Sequence, residues 1–160
     1  CGECPLTKLC VARRETLTEQ LPNLGPRIAA TARRFVACVL ERDGAVLVRQ
    51  RPEGVVNAHL WEFPNVEVTL NATTDETRQA LQAELGCALE ELSPLLAVKH
   101  SITRFRITLE AVRGELSGVR PRSAAGEWVK KERLRELPFT SAHRRVLDFP
   151  DARLSSVQTQ

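Results

Sequence analysis

The tetrapeptide ERDG, residues 41 to 44, separates FVACVL from AVLVRQR. Both flanks are rich in β-branched and large apolar residues, and Asp43-Gly44 is a dipeptide suited to the positive φ angles of a tight turn, so the stretch predicts a β-hairpin. LWEFPNVEV follows a loop containing Gly54 and ends in an extended run. A helix is expected next. Thr73 and Glu76 have capping-box spacing, Asp75 and Glu76 place negative charge at the helix start, Leu81 and Leu85 repeat at i,i+4, and Gly86 can cap the end. LLAVKHSITRFRITLEAVRGEL is mostly β-type, with Phe105, Ile107, Leu109 and Ala111 on one face. GEWVKKERLRELPF gives a strand end and a short helix, and SAHRRVLDF a last helical segment. The order β, β, β, α, β, β, α predicts an α/β domain with a mixed sheet and no internal repeat.

The 160 residues are 42% hydrophobic and 27% charged, enough for one core and unlike a disordered chain. No apolar run reaches the roughly 18 residues of a membrane span, and no signal-peptide succession is present, so a cytoplasmic protein is expected. Residues 11 to 34 are polar, carry Pro22 and Pro26, and read as a connector before a domain that starts near Arg33.

Three of the five cysteines lie within CGECPLTKLC, at spacing C-x2-C-x5-C. Thiolate sites for zinc or iron and sulfur normally use four ligands. A metal-binding loop, a zinc site, free thiols and a lipidated Cys1 are the readings these residues allow. Since Met is absent at every position, including the first, an N-terminal piece carrying the missing ligand is expected. Cys38 and Cys87 sit in apolar neighbourhoods and are assigned to the core.

Formal charge is only +3, but it is segregated. Residues 1 to 35 hold Lys8, Arg13, Arg14, Arg27, Arg33 and Arg34 against three acids; residues 99 to 125 hold Lys99, Arg104, Arg106, Arg113, Arg120 and Arg122 against two. Bases clustered this way can attract phosphate if they converge on one face, or can simply solvate strands and loops. Trp61, Phe63 and Trp128 are read as core residues. His143, beside Arg144 and Arg145, is read either as a DNA-backbone contact or as part of a solvated helix face, and Glu84 as a surface or salt-bridging acid.

RDGAVLVRQRPEGVVNAHLWEFPNVEV, followed by the helix, resembles the first half of a Nudix (MutT-like) domain. The Nudix signature, G-x5-E-x7-R-E-U-x-E-E-x-G-U, supplies glutamates for a divalent metal that assists attack on a diphosphate. Aligning its last Gly with Gly86 puts Gln79 at the Arg, Ala80 at the first helix Glu, Leu81 at the aliphatic position, and Ala83 and Glu84 at the paired glutamates. One acid remains of three. The resemblance therefore implies a Nudix fold without hydrolase chemistry, and no divalent metal at this helix.

The whole chain also resembles the C-terminal part of the MutY-type adenine DNA glycosylases, in which a C-x6-C-x2-C-x5-C iron-sulfur motif is followed by a linker and a MutT-like domain. Cys1, Cys4 and Cys10 match the last three ligands, and the first is expected seven residues before Cys1. LWEFP, KHSITRFRITLEA and LPFTSAHRRVL are the later marks. The resemblance implies an iron-sulfur loop remnant over 1–10, a connector over 11–30, a lesion-recognition domain over 31–150 and a tail over 151–160. It also implies a [4Fe-4S] cluster in the intact parent, double-stranded DNA with 8-oxoguanine:adenine or guanine:adenine mispairs and an N-terminal glycosylase domain as partners, no membrane partner, and a bacterial, nucleoid-associated setting. The family's reading loop, similar to H-x-F-[ST]-H, falls on His100, Ser101, Ile102, Thr103 and Arg104. Ile102 stands where Phe is common and Arg104 where His is common, which implies an aliphatic wedge and a possible phosphate contact there. No residue of the chain is implied in base excision.

Overall fold

A computed structural model describes residues 1–23, 25, 29–118, 121 and 125–150. Arg27, Arg120, Arg122 and the tail 151–160 lie outside the described residues. A single turn of helix, α1 (Val11–Arg14), precedes the domain. β1 (Thr31–Arg42), β2 (Ala45–Gln50), β3 (Trp61–Glu62), β4 (Asn65–Val68), α2 (Thr74–Leu85), β5 (Leu89–Ile102), β6 (Phe105–Leu116), β7 (Glu127–Lys130), a 3-10 helix (Lys131–Glu136) and α3 (Ser141–Leu147) follow.

The predicted hairpin is present. Arg42 opposes Ala45 across a two-residue turn, and Asp43 and Gly44 take φ values of 52° and 71°, both in the region that a type I′ turn requires and that this dipeptide tolerates. LWEFPNVEV is not one strand but two, because Pro64 has no N–H to give a ladder. Its carbonyl instead accepts from Cys38 N at 2.8 Å. The expected short helix before residue 137 is a 3-10 helix. β5 starts earlier than LLAV, reaching back to Leu89 with two register shifts, and Pro94 is accommodated because β5 is an edge strand.

β1 organises the sheet. One of its edges pairs in parallel with β6 from Thr31 to Leu40; the other pairs antiparallel with β4 and then β2. The main path runs β3-β2-β1-β6-β5, with β7 on β2. VACVL is apolar at every position because both faces of β1 are covered. Ala37 and Val39 join Val48, Phe63, Leu109, Val146 and Leu147 on the α3 side, while Val36, Cys38 and Leu40 join Leu81, Leu85 and Cys87 on the α2 side. A strand buried on both faces has no polar register to keep. Trp61, Phe63 and Trp128 all belong to this packing.

Helix α2 carries its predicted caps. Thr73 Oγ1 accepts from Glu76 N at 3.2 Å, the Glu76 carboxylate accepts from Thr73 N at 2.7 Å, and Gly86 closes the helix in the left-handed conformation. Leu81 and Leu85 are fully buried against the sheet. Urea unfolding of the full chain is expected to show a loss of about 1 kcal/mol for Thr73→Ala and of about 2 to 5 kcal/mol for Leu81→Ala; equal losses would contradict the assignment of cap and core.

Candidate functional site

Three groups of chemistry-bearing side chains stand out: a β-hairpin end with a cavity beside it, a buried charge cluster whose Arg51, Glu62 and His143 line the same cavity, and the cysteine segment.

His100, Ser101, Ile102, Thr103 and Arg104 lie together at the β5–β6 hairpin. They do not form a long loop: His100 to Ile102 belong to β5, and Thr103 and Arg104 are the two-residue connection, Ile102 opposing Phe105. Thr103 has φ 50° and its hydroxyl donates to Ile102 O at 2.8 Å. A β-branched residue at positive φ is uncommon and marks a conformation that the surrounding fold holds. Strand alternation splits the hairpin in two. His100, Ile102, Phe105 and Ile107 face inward, while Ser101, Arg106 and Lys99 are exposed on the other side, and Thr103 and Arg104 are exposed at the tip.

The inward face lines a cavity of about 300 Å³ that also reaches Arg33, Asn65 and His143. The Arg33 and Arg104 guanidinium groups lie over the Phe105 ring at 5.1 and 5.3 Å from its centre, within cation–π range. His100 Nδ1 is buried without a hydrogen-bond partner among the described residues; burial, and then Arg145, hold the His100 imidazole below its ordinary pKa. Several bases that look free in the sequence are paired. Arg34 grips Glu110 through Nε and Nη2 at 2.9 and 2.8 Å, and Arg33 binds Glu67.

The second cluster surrounds Glu62, whose side chain is only 4% exposed. Arg49 Nε donates to Glu62 Oε1 at 2.9 Å, and Arg51 binds its other oxygen. Burial pushes the Glu62 carboxyl up, but Arg49 and Arg51 outweigh it and hold the group below its usual range. Arg49 also binds Glu84 of α2 and gives Nη2 to Asn65 O at 3.2 Å. Glu84 is thus a salt-bridging acid, as read from the sequence.

His143 is neither a DNA contact nor on a solvated face. It is 5% exposed, its Nδ1 accepts from Phe63 N at 3.1 Å, and its Nε2 lies 4.0 Å from Glu62 Oε2. Sequence reasoning missed it because the two arginines that follow it suggest a surface, while the amide it satisfies is 80 residues away.

A divalent metal does not fit the donors of α2. Two signature positions are Ala80 and Ala83, and the remaining Glu84 is taken by Arg49. Cys1 and Cys4 are exposed and Cys10 half-buried, all as free thiols. Arg13 and Thr7 donate to Cys1 O at 2.9 and 2.8 Å, drawing the segment back on itself. Even so, among the described residues no three His, Cys, Asp or Glu side chains gather where they could hold a metal ion. Cys38 is 0% exposed, and burial, with Cys87 close by, pushes its thiol up to about 12, as befits an inert core thiol.

A mixed sheet with a capped helix across one face, and a second helix and a cavity on the other, is the architecture of a MutT-like domain. The family model described as the NUDIX domain matches residues 35–149, and the chain belongs to that family. The solution structure of the E. coli ORF135 protein is similar, with a TM-score of 0.63 and 22% identity over 85% of this chain and all of that one. The C-terminal domain of mouse MUTYH, solved in complex with human PCNA, is similar with a TM-score of 0.55 and 25% identity over 80% of this chain and 94% of that one. The adenine DNA glycosylase of Homo sapiens is 26% identical over 199 aligned positions, covering 91% of this chain and 36% of the relative. That of Rattus norvegicus is 28% identical over 166, covering 90% and 32%. The chain spans about a third of the length of these relatives. Among the described residues, no helix is long and apolar enough to cross a membrane.

The buried histidine gives a pH prediction. Burial lowers the His143 pKa from 6.5 to about 4, with Glu62 opposing the shift and Arg51, Arg49 and His100 adding to it. The unfolded chain takes up the proton at higher pH than the folded one. The stability contributed by neutral His143 is therefore full above pH 6.5 and is lost as pH falls toward 4, by roughly 3 kcal/mol. His143→Gln, which keeps an acceptor for Phe63 N, is expected to flatten this part of the stability profile; an unchanged profile would contradict the assignment.

Proposed function

We propose that the chain is the C-terminal part of an adenine DNA glycosylase, and that its β5–β6 hairpin reads 8-oxoguanine opposite adenine so that a separate catalytic domain can remove the mispaired adenine. Similarity to two such enzymes over nine tenths of the chain supports the parent. The observation that carries the reading role is the hairpin end. Thr103 is exposed at a two-residue tip, with Arg104 beside it and Ser101 and Arg106 opposite each other just behind.

Thr103 Oγ1 gives its one proton to Ile102 O and keeps its lone pairs, so it can accept from the N7–H that 8-oxoguanine has and guanine lacks. Ile102 is half-buried on the cavity side of the hairpin, so its aliphatic surface meets a base only where the base is turned toward that cavity. Arg104, Arg106 and Lys99 supply phosphate contacts, which position the hairpin without specifying sequence. His100, facing the cavity, supports the strand from behind.

In the parent, Cys1, Cys4 and Cys10 would be three thiolate ligands of a [4Fe-4S] cluster, with one more cysteine from the preceding chain. The group would supply structural ordering of a loop beside DNA.

A hydrolase of oxidised nucleotides is the second reading, favoured by the cavity beside His100 and Asn65. Ala80, Ala83 and the engaged Glu84 weigh against it, since diphosphate hydrolysis needs a bound cation.

Joining the chain to the glycosylase domain of an adenine DNA glycosylase, with all four cysteines present, tests the proposal. Adenine release is compared for 8-oxoguanine:adenine and guanine:adenine duplexes, in the parent and Thr103→Ala. A preference for the oxidised base that falls in the variant, with guanine:adenine cleavage retained, is expected. An unchanged preference would remove the hairpin from the reading role.

A further inference from the structure

Arg49 spans the gap between sheet and helix. It stands opposite Glu62 across β2 and β3, and its guanidinium is shared among Glu62 Oε1, the Glu84 carboxylate and Asn65 O. Two carboxylates and a backbone carbonyl therefore converge on one cationic group. These are the oxygen donors that hard divalent cations take. Glu84 is, moreover, the single acid left at the signature positions of α2.

We propose that the Arg49 guanidinium is this chain's built-in replacement for a divalent cation, fastening α2 to the sheet through Glu84 and closing the position to metal ions. A guanidinium stays protonated throughout the physiological range and offers five donors in a fixed plane, so it can satisfy several oxygens at once. It carries one unit of charge and has no open coordination position. It cannot act as the Lewis acid that polarises a phosphoryl oxygen or activates a water. Mutual repulsion of Glu62 and Glu84 is relieved without any ion from solution, and the helix stays fixed whatever the metal supply. Cation exclusion at α2 and lesion discrimination at the hairpin share only the premise that α2 does no hydrolysis, which rests on the function proposed above. They are read by different assays, so either can fail without the other.

The test measures Mn²⁺ binding by electron paramagnetic resonance, and thermal unfolding with and without MnCl₂, on the full chain. The parent is expected to bind no Mn²⁺ through Glu84 and to keep the same Tm in both conditions. Arg49→Met, which retains much of the aliphatic stem and removes the charge, is expected to acquire Mn²⁺ binding and a Tm that climbs with Mn²⁺, and Arg49→Met/Glu84→Gln to lose both gains. Should Arg49→Met be unfolded without metal, Mn²⁺ is expected to restore its fold. Glu84-dependent Mn²⁺ binding by the parent would overturn the proposal, and so would an Arg49→Met variant that gains neither binding nor stability from the ion.

Discussion

One buried carboxylate ties the domain together. Glu62 lies in the two-residue strand β3, yet it receives Arg49 from β2 and Arg51 from just beyond it, and has His143 of α3 next to it. Through Arg49 the same cluster reaches α2 and the first residue of β4. Removing a charge from water costs several kcal/mol per ion, and the cost is offset only where partners satisfy the group on every side. The cluster meets that condition by drawing on β2, β3, β4, α2 and α3. Its members consequently fix the loop between β2 and β3, the tilt of α2 and the seat of α3 at once.

The two sides of the sheet then do different things. On the α2 side the apolar core, the capping box and the Arg49 bridge make the helix a structural element. On the other side α3 leaves room for a cavity, and the inner face of the β5–β6 hairpin forms one of its walls. Arg33 and Arg104 over the Phe105 ring stiffen the base of that hairpin, so its two-residue tip is presented by a supported scaffold.

Local signals were legible in the sequence and long-range ones were not. Asp43-Gly44, Thr73 with Glu76, and Gly86 each act within a few residues, so their chemistry could be read directly, and α2 spans almost the range its caps predict. The break at Pro64 was carried by one residue and was readable in principle from its missing N–H. Pairings across tens of residues left no such mark. Arg33 and Arg34 looked like free cations because Glu67 and Glu110, which take up their charge, sit on other strands. Burial of His143 depends on an amide of Phe63, and the cation bridge depends on Arg49 meeting an acid of another helix. The five residues 100 to 104 were identified as a unit, but their division into an inward face and an exposed tip needed the strand register.

The central claim is that one end of the sheet engages the lesion while α2 stays uninvolved. Amide chemical-shift mapping of the isotope-labelled chain, titrated with otherwise identical duplexes containing 8-oxoguanine:adenine or guanine:adenine, tests it most directly. Shifts that concentrate on residues 99 to 106 and differ between the two duplexes, with 74 to 85 unmoved, are the predicted result. Shifts centred on α2, or a hairpin that responds to neither duplex, would contradict the account.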